Sequence, residues 1–223
     1  TEIYTLSLHD ALPISIDRIY LLEALKHLYD IRFQRVVLSF LNDGNKSVRI
    51  YALKCATDNE IRESIPVIKR LVTKDDNDEV RKRSIEALVL FKDTGSGFII
   101  ASVLKEGKKE LSLAALRALG ELKYSNAAGP VSEILLKETD NEIKSAAIDA
   151  LSIFGRAGNI EGLKHIITKD KDPLLRIKAI HALGEVNEER TTMDTLSLSL
   201  ADRDYRIRGD RKSTRLNSSH VSQ

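Results

Sequence analysis

Apolar and small residues recur along this chain at helical spacing, and the spaced groups themselves recur. In the stretch from Asp172 to Gly184, Leu175, Ala179, Ala182 and Leu183 fall on one helix face. Asp172 suits the cap of that helix, Pro173 its first position, and Gly184 its stop. The pair Leu175-Arg176 returns as Val48-Arg49, Val80-Arg81, Leu111-Ser112, Ile143-Lys144 and Ile207-Arg208, at intervals of 32, 31, 32, 32 and 32 residues. Four residues after the first member of each pair stands Ala52, Ser84, Ala115, Ala147 or Ala179, and seven after it Cys55, Ala87, Ala118, Ala150 or Ala182. Small side chains on one helix face let a neighbouring helix approach closely. A second apolar set follows in each period, with Ile68 and Leu71 equivalent to Ile100 and Val103, Val131 and Ile134, Leu163 and Ile166, and Thr195 and Leu198. The pattern therefore predicts two helices per period and an all-α chain of stacked helical hairpins.

These residues resemble the HEAT-repeat family, in particular its short bacterial and archaeal form. That form's Asp-x-x-(Val/Leu)-Arg-x-x-Ala-x-x-Ala-Leu-Gly pattern is met by Asp172, Leu175, Arg176, Ala179, Ala182, Leu183 and Gly184. The resemblance implies an α-solenoid of antiparallel helical hairpins. A degenerate first unit is expected over 16–41, with Asp17 where other units carry Arg or Lys. Five full repeats follow over 45–202, and a truncated repeat starts at 203, so the array covers 16–209. Caps are expected at Asn45, Asn77, Asp140, Asp172 and Asp204. The unit after Gly107 departs, with Lys108 at the cap and Ser112 in place of Arg, and a local change in packing is expected at 105–112.

The two ends read differently. Residues 1–15 and 210–223 follow the translation of short-read sequencing adapters, so both tails are expected to be non-native, and the chain a fragment. No apolar run reaches the roughly 20 residues that span a bilayer. The single cysteine, Cys55, stands where the other repeats have alanine, which suits a core role and a reducing, cytoplasmic setting.

Candidate chemistry is sparse. Arg49, Arg81, Lys144, Arg176 and Arg208 form a column that resembles the family's internal ion-pair ladder, with Asp76, Asp78, Asp140, Asp172 and Asp204 as expected partners. Its alternative use is to grip phosphates, but 35 basic against 33 acidic residues and no Trp do not favour a nucleic-acid binder. His27, His165 and His181 lie in separate repeats, and none is followed by the Glu that the HEAT-like metal hydroxylases carry. No catalytic, cofactor or metal site is expected. Family likeness places the exposed columns of the second helices on the concave face, and Lys69, Arg70, Ser102, Glu133, Lys137, Lys164 and His165 are the candidate partner-binding residues. Their mixed charge suits a protein or peptide partner. The resemblance leaves two alternatives, a lyase or enzyme subunit of the bilin-lyase type and a nucleic-acid-binding HEAT-like protein.

Overall fold

A computed structural model of the chain describes residues 15–25, 31–155 and 160–186, with Ser197 alone beyond them. Among the described residues there are eleven α-helices and no strand. They are α1 (Ser15–Leu25), α2 (Ile31–Phe40), α3 (Lys46–Asp58), α4 (Ile65–Lys74), α5 (Asp78–Leu90), α6 (Gly97–Val103), α7 (Lys109–Glu121), α8 (Ala128–Lys137), α9 (Asn141–Phe154), α10 (Ile160–Lys169) and α11 (Pro173–Val186). Of the two tails only Ser15, which opens α1, is described; residues 1–14 and 210–223, with His27, Thr195, Leu198, Asp204 and Arg208, lie outside the described residues.

The helices sort into two compact units, one ending at Val103 and the other beginning at Leu104. Within the first, α3 packs on α1, α2 and α5, and α4 packs on α5 and α6. Within the second, α9 packs on α7, α8 and α11, and α10 packs on α8 and α11. Each unit is a run of stacked helical hairpins, and the fold class is the all-α solenoid that the period predicts.

The core follows the recurring positions. Val48, Ala52, Cys55 and Ala56 are buried in α3, and Val80, Ser84, Ala87 and Leu88 are buried in α5. Their equivalents in α7, α9 and α11 are buried too, with Leu119, Leu151 and Leu183 each at 0% exposure. Ser84 is tolerated there because its hydroxyl donates to the Val80 carbonyl at 2.8 Å, which satisfies a polar atom that has no access to water. The second helices bury Ile68, Ile100, Val131 and Leu163 as expected, but in α8 the deeper residue is Leu135 and Ile134 is only half-buried.

Each expected cap that falls among the described residues is formed. Asn45 accepts from the Ser47 N–H at 2.8 Å, Asn77 from Glu79 and Val80, Asp140 from Glu142 and Ile143, and Asp172 from Leu174 at 2.8 Å. Lys108 begins α7 with no side-chain cap bond. Gly107 ahead of it holds φ at 67°, after a 3₁₀ turn over Leu104–Glu106, so the backbone does change locally where the sequence departs from its period.

Helix ends differ from the expectation. Gly184 does not stop its helix, since α11 runs on to Val186, and its equivalent Gly120 lies inside α7. The stop is made by residues in the left-handed region, Glu60, Lys92 and Lys123, with φ of 50°, 54° and 52°, and by Gly155 at 58°. Behind each of the first three, the next N–H reaches five residues back, from Ile61 to Ala56, Asp93 to Leu88 and Tyr124 to Leu119, at 2.9 to 3.0 Å. That closure satisfies helix carbonyls that would otherwise have no partner.

Candidate functional site

The basic column is bound up inside the fold. Arg49, only 7% exposed, donates through Nη1 to the carbonyls of Asp43 at 2.8 Å and Gly44 at 3.2 Å, in the loop ahead of its own helix. Its Nη2 reaches forward to Asp75 Oδ1 at 2.7 Å and Asp76 Oδ1 at 2.8 Å, in the loop that opens the next repeat. One side chain thus ties two successive loops together. Lys144 makes the same forward bond to Asp170 Oδ2 at 2.8 Å, and Arg176 the same backward bond to the Asp170 and Lys171 carbonyls. In the first unit Arg18 Nη1 reaches Asp43 Oδ2 at 2.9 Å.

Two expectations are corrected by this geometry. Asp17 is not the degenerate equivalent of the basic residue; Arg18 is, one position later, because that period is one residue shorter. The carboxylates that take the forward bonds are Asp43, Asp75 and Asp170, each 25 or 26 residues beyond its cation. Of the expected partners, Asp76 shares Arg49, and Asp78 stands 3.5 Å from Arg81. Asp140 is held by Lys109 at 2.8 Å rather than by Lys144, and Asp172 accepts from Asn141 at 3.0 Å. The reason is that one oxygen of each cap residue faces the amides of its own helix, which leaves only the other for a neighbour. Asp43, Asp75 and Asp170 also accept the N–H two residues on, at 2.8 to 2.9 Å, and so set the turn that presents the next cap. The signal was available in the sequence as an acidic residue recurring two positions before each cap.

Burial pushes the Asp170 carboxyl up, but the bond from Lys144 and the Asp172 N–H outweigh it and hold the group below its ordinary value. Asp93 behaves alike, with burial opposed by Lys69 and Ser96. The Lys109 ammonium, with the N–H groups of Ile143 and Glu142, holds Asp140 below the usual range. These are structural ion pairs. Among the described residues no cluster of His, Cys, Asp or Glu could hold a metal ion, and Cys55 is buried in the core.

The seven candidate surface residues fall into two groups. In the first unit Lys69 is half-buried and paired with Asp93 at 2.8 Å, the exposed Arg70 donates to Asn42, and Ser102 on α6 donates to the Ile99 carbonyl at 2.6 Å. In the second, Glu133 and Lys137 pair along α8 at 3.5 Å, Lys164 lies 3.3 Å from Glu161 on α10, and His165 is exposed. Ser132, on α8 beside Glu133, is 2% exposed and accepts the Gly162 N–H at 2.8 Å where α8 and α10 touch. Beside the Arg49 rung opens a cleft of about 270 Å³ whose polar lining includes Asn42, Arg49, Arg70, Lys74, Asp75 and Asp76. The sequence period did not reveal it, because no single column contains it.

Comparison with known proteins agrees with the architecture. The family model for HEAT repeats matches residues 35–97 and 98–184. Among solved structures the chain is similar to the CpcE and CpcF complex of phycocyanin lyase from Nostoc sp. PCC7120, with a TM-score of 0.55 at 15% identity, over 78% of this chain and 73% of that one. It is also similar to a designed armadillo repeat protein in complex with the peptide (KR)4, with a TM-score of 0.56 at 14% identity, over 80% and 96%. An engineered protein gives 0.51 at 18% identity, over 89% and 94%. Such identities show the fold alone. No curated protein matches the chain in sequence.

Proposed function

Because this chain belongs to the HEAT-repeat family, we propose that it is a non-catalytic scaffold that binds a protein or peptide partner through the exposed faces of its second helices. One observation carries the reading. Among the described residues the recurring basic side chains are tied to backbone carbonyls and carboxylates, and Arg49 is 7% exposed. The reading places the partner on the second-helix surface, with Lys69, Arg70 and Ser102 in one unit and Glu133, Lys137, Lys164 and His165 in the other. A surface of mixed charge, with Glu133 among the cations and Asp93 and Glu161 paired to two of them, suits a polar protein surface or peptide better than a polyanion. Among the described residues no helix is long and apolar enough to cross a membrane.

Lysine-directed cross-linking of the full chain to a co-purified partner, read by mass spectrometry, tests this. Cross-links should concentrate at Lys69, Lys137 and Lys164. Cross-links confined to Lys54 and Lys82 on the first helices, or co-purification with nucleic acid alone, would overturn it.

A further inference from the structure

The start of α7 is fastened differently from every other first helix with an expected cap among the described residues. Arg49 and Lys144 each bridge from their own helix to the acid 26 residues on, Asp75 and Asp170. Ser112 stands in the equivalent place on α7, and its side chain is several bonds too short to span that distance. The acid at the same offset is still there. Glu138 accepts the N–H groups of Thr139 and Asp140 at 2.7 and 2.8 Å, as its equivalents accept theirs, and so sets the next turn with no cation from Ser112 upon it. The tie between the two loops is made instead by Lys109, which donates to Asp140 Oδ2 at 2.8 Å and stands 3.1 Å from Glu142 Oε2. Its side chain is 47% exposed, against 9% for Arg49 and 13% for Lys144. Salt therefore screens this pair far more than a buried rung.

We infer that the first turn of α7 is a salt-sensitive latch, closed by Lys109 on Asp140 and Glu142, which opens without unfolding the rest of the helix. The backbone around it favours opening. Residues 105–110 are exposed without a break, Gly107 holds φ at 67°, and no side-chain bond caps the helix. Lys108 and Lys109 also place positive charge at the helix end where the dipole is positive. Leu111, Leu116 and Leu119, each buried, hold the remainder of α7 in the core, so the release stays confined to its start. The inference is independent of the partner-binding reading.

Native-state hydrogen exchange of the full chain tests it at matched amides. The Ser112 N–H bonds to the Lys108 carbonyl at 2.8 Å, just as Arg49 bonds to Asn45, Arg81 to Asn77, Lys144 to Asp140 and Arg176 to Asp172. Ser112 should be protected about tenfold less than those four. Raising sodium chloride from roughly 0.05 to 0.5 M should lower its protection about threefold further and leave the four nearly unchanged. Lys109→Ala should bring Ser112 to the high-salt value at low salt and remove the response. Lys108→Asn, which supplies a cap, should raise Ser112 protection about fivefold. Lys105→Ala should leave the salt response intact. These three lysines are exposed, so the variants keep the fold. Ser112 protection equal to that of the four, a flat salt response, or a response that survives in Lys109→Ala would each overturn the latch.

Discussion

Lys92 and Lys123 close their helices in the left-handed region at the turn where Gly155 stands in the next repeat. A side chain there costs about 1 kcal/mol that glycine avoids, although glycine gives part of it back as extra freedom of the unfolded chain. Lys92→Gly should therefore stabilise the protein by roughly 0.5 kcal/mol in urea melts, and a loss of that size would show that the lysine's own contacts matter more than its backbone. Asp170 has the opposite character, since its side chain is what matters. Its folded carboxyl is more acidic than the 3.8 of the free group. The stability it lends is thus present above that value and lost as pH falls through the lower folded one. Asp170→Asn should cost on the order of 3 kcal/mol near pH 7, because Lys144 is left 13% exposed without its partner. It should also flatten the acid arm of the stability profile, and an unchanged arm would remove Asp170 from the acid response.

Close contact between elements makes two helix glycines respond differently. A Cβ on Gly162 would lie 2.7 Å from the Ser132 carbonyl oxygen and 2.7 Å from its Oγ. The carbonyl oxygen cannot yield without moving α8 off α10, and the hydroxyl can turn away only by giving up its bond from the Gly162 N–H, so Gly162→Ala should cost about 1–3 kcal/mol and lower the melting temperature. At Gly120 the nearest atom is the Ile153 Cδ1 at 3.1 Å, the far end of a side chain that can rotate. There the gain from replacing glycine in a helix, about 0.5–1 kcal/mol, opposes the crowding, and Gly120→Ala should be close to neutral. Paired thermal melts separate the two, and equal losses would mean that crowding at Ile153 is as rigid as at Ser132.

Across the molecule, stability in a repeat stack is a sum of nearest-neighbour interfaces. Leu151 is at 0% exposure in α9, the helix that packs on α7, α8 and α11. Leu151→Ala should cost about 2–5 kcal/mol. Hydrogen exchange should show the loss in α7, α9 and α11 and leave the amides of α3 to α5 unchanged. Equal loss in both regions would mean that the chain unfolds as one cooperative block.

Much of the build was decided locally and was therefore legible in the sequence. A cap needs one oxygen at one position, so Asn45, Asn77, Asp140 and Asp172 announced four helix starts. A buried face needs apolar or small residues at helical spacing, so Val48, Ala52 and Cys55 and their equivalents identified the stacked core and with it the fold class. The helix ends were less legible, because Glu60, Lys92 and Lys123 adopt a glycine-like backbone without being glycine, and Gly184 is a glycine that stops nothing. The partners of the basic column were decided only by the tertiary structure. Periodicity placed the cations and acids in register, but whether Asp140 or Asp170 meets Lys144 depends on which oxygen the cap has already turned inward. The cleft likewise exists only once the loop at Asp43 is brought against Arg70 and Lys74, residues roughly thirty positions away, so no local pattern could have held it.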